Sequence, residues 1–270
     1  MHFEYSQDFL DHLVEYVGPD LLEMEAHTRV EYAKGFFGSI KPYLDLPGKR
    51  MLDAGCGHGV MSLGGHLEGM EVDAFDIVPK AVALTNMRLA ENDCPTMAFI
   101  HDVREEIPEG FAGAFDLVTN YQVLEHIPRG GQFQALGNLC DMVKPGGFLF
   151  IDTENSLYPY DRHDTSLPLV RLLAPAFQKA MVSRLGKELN FYEPSVETRV
   201  DLHDYLSYDE VVGAASVLGF DVVNSVIPHG TIRQSFYVLT QSHWFYDNIA
   251  QYFAAERFLP ISILMQKREK

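Results

Sequence analysis

Two acids and three glycines, in order along the first third of the chain, are the residues best placed to do chemistry. The stretch Arg50-Met-Leu-Asp-Ala-Gly-Cys-Gly-His-Gly59 opens on apolar residues that suit the end of a buried strand. It runs into Val60-Met61-Ser62-Leu63, which suits the start of a helix. Gly55, Gly57 and Gly59 between them make a strand–turn–helix elbow. Glycines there allow a tight turn and let a ligand lie against the backbone, while the helix start offers free N–H groups. Asp53 stands at the strand's end, where open α/β sheets bind ligands. The dinucleotide pattern G-x-G-x-x-G would need glycine at position 60, where Val60 stands, and this disfavours a nicotinamide oxidoreductase. A second apolar run, Val72-Asp-Ala-Phe-Asp76, ends in an acid. Asp76 lies about 20 residues past the turn, the place from which a carboxylate takes both ribose hydroxyls of an adenine nucleoside. A solvated turn, or a helix N-cap before Pro79, is its plainer role.

Composition bounds the classes that remain. At 270 residues the chain suits one large domain, or one domain with an insertion. A net charge of −17 argues against an exposed nucleic-acid surface, which needs a basic stripe, and against an anionic membrane. Cys56, Cys94 and Cys140 are far apart, so neither a zinc knuckle nor a disulfide framework is indicated. No apolar run approaches a membrane span, and the first residues do not resemble a signal peptide. A cytoplasmic protein is the default expectation.

The elements that must position the elbow follow from periodicity. Phe9, Leu13 and Val17 share a helical face, and so do Leu22, Ala26, Val30, Ala33, Phe37 and Ile40. These N-terminal helices, within 1–48, either pack on the sheet or fold over the ligand as a lid. From Arg50 strands and helices alternate, which implies a parallel sheet with crossover helices. Strands are expected at Val72–Ile77, Thr96–Ile100, Phe115–Asn120 and Phe148–Asp152, and helices at about 79–92 and 131–143. Lys144-Pro-Gly-Gly147 is expected to be a turn before the fifth strand. The core is expected over 49–241, interrupted at about 155–205 by an insertion too long for an ordinary connection and therefore a functional cap or binding element. A helix is expected within it at about 170–185. Ser207-x-x-Glu210 is a capping box opening a helix over 211–218, with Gly219 past its end. Phe220–Ile227 and Ser235–Thr240 read as two closing strands.

With these residues in order, the chain resembles class I S-adenosylmethionine-dependent methyltransferases across roughly 50–153 and 205–241. The elbow Leu52–Gly59 matches the first family motif and Asp76 the second. His101-Asp102-Val103 resembles the segment after the third strand. Phe115-Asp-Leu-Val with Val123-Leu-Glu-His-Ile-Pro128 matches the fourth motif, and Leu139 with Val143-Lys-Pro-Gly-Gly-Phe-Leu149 the fifth. The resemblance implies an α/β, Rossmann-like, mostly parallel sheet of seven strands in the order 3-2-1-4-5-7-6, with helices on both faces. It implies S-adenosylmethionine as cofactor, with Gly55 and Gly57 against its methionine part and Asp53, Cys56 and Ile77 in the same site. It puts Asp76 on the ribose, Asp102 on the adenine amine with Val103 stacking nearby, and Asn120 and Tyr121 beside the sulfonium. Some ubiquinone-type and small-RNA relatives ligate a divalent metal with a Glu-x-x-Glu-His run at this place. Gln122 replaces the first glutamate, an amide is a weaker hard-cation ligand, and no metal is expected.

The acceptor side is less legible. His126 suits a general base for a hydroxyl acceptor, or else orients the loop before Pro128. His163 and Asp164, in the insertion, are candidates to deprotonate or hold an acceptor; His203 is a weaker one. Tyr158, Tyr160 and Arg162 are candidate acceptor contacts, Arg162 for an acidic group. Residues 242–270 read as a helical extension, with Trp244, Phe245, Ile249 and Phe253, then an apolar run Phe258–Met265 around Pro260. That run suits packing, a homodimer contact, a pocket wall or a membrane-surface patch. The expected activity is methyl transfer to a hydroxyl of a small molecule. Methylation of a small amine, and a cofactor-binding protein without turnover, stay open.

Overall fold

The computed structural model describes residues 3–158, 160–161, 167–169, 173, 177, 204–225 and 260–269. The chain starts with helix α1, Gln7–Val17, whose first turn is capped by Ser6, its hydroxyl accepting from Phe9 N at 3.2 Å. Its buried residues Phe9, Leu13 and Tyr16 follow the helical period. A π-helical turn, Met24–Thr28, leads directly into α2, Arg29–Ile40. The alternating core comes next: β1 Arg50–Ala54, α3 Val60–Leu67, β2 Glu71–Asp76, α4 Pro79–Ala90, β3 Phe99–Ile100, β4 Phe115–Tyr121, α5 Arg129–Met142 and β5 Val143–Thr153. Tyr160–Asp161 (β6) and Leu167–Pro168 (β7) pair as a short antiparallel ribbon. Helix α6, Tyr208–Val217, opens on the Ser207–Glu210 capping box that its sequence advertises. Strands β8, Phe220–Ser225, and β9, Ile261–Lys267, complete the sheet.

The sheet has seven strands in the order β3-β2-β1-β4-β5-β9-β8, and β9 runs antiparallel to both neighbours. This is the expected architecture. One face carries α5 and α6, with Leu136, Leu139, Val211 and Ala215 on Val118, Leu149 and Ile151. The other carries α2 and α3, with Phe37 and Leu63 on Met51, Leu117 and Phe150. Such two-sided burial explains why the central strands are continuously apolar. Among the described residues no helix is long and apolar enough to cross a membrane.

Two expectations are corrected. Lys144–Gly147 is not a turn ahead of the fifth strand. Val143 already pairs with Phe115, and the register then jumps to Leu117 opposite Phe148, so these residues form a bulge inside β5. The strand between β5 and β8 comes from the far end of the chain. Ile261–Lys267 pairs with Thr153–Phe148 on one side and with Phe220–Ser225 on the other. The core therefore does not close at 241, and Ile261–Met265 is not surface but part of a strand covered on both faces. A short fully buried strand and an apolar patch have the same sequence signature. Ser235–Thr240, the helix expected at 170–185, and Trp244, Phe245, Ile249 and Phe253 lie outside the described residues.

Asp53 ties three elements together. Its carboxylate accepts from Ser62 Oγ of α3 at 2.5 Å and from Thr119 Oγ1 of β4 at 3.2 Å. Complete burial pushes its pKa up to about 6, and the two hydroxyls only partly offset this.

Two stability measurements test this architecture. Leu264 on β9 is 1% exposed, so Leu264→Ala should lower the unfolding free energy in urea by about 2–5 kcal/mol, against nearly nothing for a surface patch. The Asp53 pKa is raised on folding from 3.8 to about 6, so the folded state holds a proton that the unfolded state has released. Stability should then fall as pH rises from about 4 to 6, by on the order of 3 kcal/mol from this group alone. Asp53→Asn should flatten that slope in urea titrations run across the same pH range.

Candidate functional site

The parallel strands bring Asp53, Asp76 and Asn120 to one end of the sheet. At the end of β1 the chain turns through Gly55–Gly59, with Gly55 N and Cys56 N donating to Phe75 O of β2 at 2.8 and 2.9 Å. Gly55 has φ +84, and a Cβ there would stand 2.3 Å from Val123 Cγ2, so only glycine lets the loop after β4 close over the elbow. Gly57 has φ +53, and a Cβ there would meet nothing within 4 Å. Its outer face is open space.

Asp76, at the end of β2, faces this opening. Its Oδ2 accepts from Gly57 N at 2.9 Å and its Oδ1 from Val78 N at 2.9 Å. Burial pushes its pKa up, with those N–H groups working against the shift. Each oxygen keeps acceptor capacity after one such bond. Ile77 beside it is exposed and offers an apolar surface at the rim. Cys56 is buried under the turn, where burial and the nearby Asp53 and Asp76 push its thiol well up, so it stays protonated.

Asn120 lies next to last in β4, beneath the elbow. Its Nδ2 donates to Ala54 O at 2.8 Å, while its Oδ1 is buried without a hydrogen-bond partner. Buried acceptors are seldom left unpaired, and one beside an open glycine turn fits a donor on a bound group. Tyr121 follows, half-buried, its ring 5.8 Å from that of Tyr32 on α2. Burial pushes its phenol up, Asp152 adding to the effect, so Tyr121 is neutral.

Asp102 and Val103 are less open than expected. Asp102 is gripped by Arg104, whose backbone N and Nε reach Oδ1 at 2.9 Å and whose Nη2 reaches Oδ2 at 2.5 Å. This holds its pKa below the usual carboxylate range. Val103 is 7% exposed and packs in the core with Leu139, leaving little surface for a ring to stack on.

Among the described residues, those expected on the acceptor side lie at or just past the ends of β4 and β5. His126 is exposed on a single 3-10 turn, Leu124–His126, behind β4. Glu125 is buried, its Oε2 accepting from Thr153 Oγ1 at 2.7 Å. Gln122 has φ +56, a conformation costly for a side chain of that kind. Its backbone N donates to Asp152 O at 2.8 Å and its Nε2 to Asp152 Oδ1 at 2.5 Å. The amide that stands where some relatives carry a metal-ligating glutamate is thus turned to β5. Tyr158 is buried. Tyr160 is described in its backbone alone, and Arg162, His163, Asp164 and His203 lie outside the described residues.

Sequence reasoning missed the N-terminal contribution. Glu25, in the π-helical turn, reaches His58 of the elbow, Oε2 to Nε2 at 2.9 Å, and Arg29 Nε reaches the same oxygen at 2.9 Å. Nothing in the sequence signals this pair, because 33 residues separate its partners. Asp152 was read only as the end of a strand.

Residues 26–188, more than half of the chain, match a family described as "Methyltransferase domain". The chain is 32% identical over 120 residues to a ubiquinone biosynthesis O-methyltransferase of Chromobacterium violaceum, covering 43% of this chain and 49% of that protein. It is 36% identical over 110 residues to the one of Aromatoleum aromaticum, covering 41% of this chain and 46% of that protein. The chain spans about half the length of the relatives it matches. In fold it is similar to an S-adenosylmethionine-dependent methyltransferase of Mesorhizobium loti, with a TM-score of 0.53 over 86% of this chain and 98% of that one, at 16% identity. The strand order, the glycine elbow and the extent of the family match agree, and the chain belongs to the methyltransferase domain family, with the class I architecture.

Proposed function

We propose that the chain is an S-adenosylmethionine-dependent methyltransferase that moves a methyl group to a hydroxyl of a small-molecule acceptor by in-line displacement. The observation that carries this reading is the carboxylate of Asp76 held 2.9 Å from the amide of Gly57 beneath an open glycine face. A carboxylate so placed, with acceptor capacity to spare, suits the two hydroxyls of a ribose. The residues present fit the cofactor. Asp76 would hold the ribose, exposed Ile77 would offer an apolar surface to the adenine, Gly57 would leave room for the methionine part, and Asn120 Oδ1 would supply a buried acceptor for its ammonium. Cys56 and Asp53 are buried under the turn and support it from beneath. Asp102 would accept from the adenine amine only by sharing its oxygens with Arg104.

When bound, S-adenosylmethionine supplies a methyl group already activated by the sulfonium charge. The work left to the chain is alignment and removal of the acceptor's proton. Tyr121, neutral and braced by Tyr32, shapes the wall beside the reacting end. His126, exposed on the turn after β4, is the candidate general base for the hydroxyl proton. The names of the ubiquinone biosynthesis O-methyltransferases support oxygen as the nucleophile. Glu125 accepts from Thr153, the residue between Asp152 and Glu154, and acids at this strand end favour, as a second reading, an amine acceptor.

Calorimetric titration should show binding of S-adenosylhomocysteine and none of NADH. Asp76→Ala should weaken the former about 100-fold or more, as expected for losing hydrogen bonds to a charged acceptor. Binding of NADH alone would refute the reading. Incubation with methyl-labelled S-adenosylmethionine and a panel of hydroxyl and amine compounds, read by mass gain, should put the label on oxygen. On the acceptor found, His126→Ala should lower turnover by about 10²–10⁴ and leave S-adenosylhomocysteine affinity unchanged. Label on nitrogen selects the second reading, and binding without turnover of any compound selects a protein that only senses the cofactor.

A further inference from the structure

The N-terminal helices do not rest on the elbow through apolar contacts alone. Glu25, 4% exposed, is held at both ends. Its Oε2 takes His58 Nε2 and Arg29 Nε, each at 2.9 Å. Its backbone carbonyl accepts from Arg88 Nη2 of α4 at 3.0 Å. Arg88 is itself fully buried, its guanidinium over the rings of Tyr5 and Phe9 at 5.4 and 5.2 Å. The ring of Tyr16 on α1 lies 6.3 Å from that of His58. Groups from α1, the π-helical turn, α2 and α4 therefore enclose one imidazole, and that imidazole belongs to the residue between Gly57 and Gly59.

The protonation states suit a directed hydrogen bond. Burial pushes the His58 pKa down. Burial also pushes Glu25 up, but His58, Arg29 and Arg88 together outweigh it and hold the carboxylate below its ordinary range. A neutral imidazole then donates its Nε2–H to an ionised oxygen. A carboxylate is a costly way to glue a helix to a sheet, because its desolvation offsets much of the attraction. Val30, Ala33 and Phe37 already supply apolar packing at the same junction. The charged contact adds direction: it fixes where the His58 side chain sits, and with it the backbone of the turn. Glu25 also lies on a π-helical turn, an irregularity frequent at functional sites.

We propose that Glu25 is a positioning residue for the cofactor site, gripping His58 so that docking of the N-terminal helices and closure of the glycine turn on the cofactor are one event. The proposal rests on the methyltransferase reading above. It predicts that cofactor affinity depends on the hydrogen-bond acceptor at position 25 rather than on its bulk.

Glu25→Ala and Glu25→Gln should be compared with the unaltered protein by calorimetric titration with S-adenosylhomocysteine and by thermal unfolding without it. Glu25→Ala should weaken binding about tenfold or more, while Glu25→Gln, which keeps an acceptor for the Nε2–H, should stay within about threefold. A lowered Tm in Glu25→Ala with unchanged affinity would reduce the contact to packing and overturn the proposal. Should Glu25→Ala not fold, hydrogen exchange on the unaltered protein decides. S-adenosylhomocysteine should slow amide exchange in Met24–Thr28 together with Cys56–Gly59, and protection of the turn alone overturns the proposal. Failure of the unaltered protein to bind S-adenosylhomocysteine overturns the methyltransferase reading itself, whereas binding with an indifferent position 25 overturns only the role of Glu25.

Discussion

A single hydrogen bond, Gly57 N–H to the carboxylate of Asp76 at 2.9 Å, sets the geometry on which the rest of the site depends. It can form only if β1 and β2 are parallel neighbours in the register that pairs Ala54 with Phe75. That register delivers the end of one strand and the turn after the other to the same point. The turn then needs backbone that reaches positive φ and carries no Cβ where Val123 closes in. Strand pairing, glycine placement and acid placement are thus one constraint seen at three positions. The open face over Gly57 is what remains once they are all satisfied.

Buried polar groups around this point follow a shared logic. Asp53, Glu25 and Arg88 are each nearly or wholly inaccessible, and each is bonded to groups from other elements. Apolar packing on either side of the sheet provides most of the cohesion, but it is tolerant of small slides. Directed hydrogen bonds to charged groups are not. Asp53 links α3 to β4, Glu25 links the N-terminal segment to the turn, and Arg88 links that segment to α4. Their desolvation is unfavourable, so their contribution is position more than stability. They cluster at the end of the sheet where position matters.

The ends of β4 and β5 are joined by the chain's more distant parts. β9 joins the sheet from residues 261–267, beyond everything else described, and sets Ser262 opposite Asp152. Gln122, in its left-handed conformation, turns back onto the same Asp152. A returning strand and a loop residue at positive φ therefore meet at Asp152. Strain of this kind persists only when surrounding structure enforces it, here the paired ends of β4 and β5.

The sequence by itself determined the parts whose signals are local. The alternation of strands and helices, the elbow at Asp53–Gly59, the acid at 76 and the capping box at Ser207 are each written within a few residues, and each stands where it was expected. What only the tertiary structure decided are pairings across long separations. A continuous apolar run such as Ile261–Met265 has no period that tells strand from patch, so its place between β5 and β8 had to be seen. Asp53 showed itself as a staple between helix and strand only when Ser62 and Thr119 were brought to it, and Val103 became a core residue only under α5. The contact of Glu25 with His58 had no local sign at all, because hydrogen bonds between distant side chains depend on where two backbones come to rest, and spacing along the chain carries no record of that.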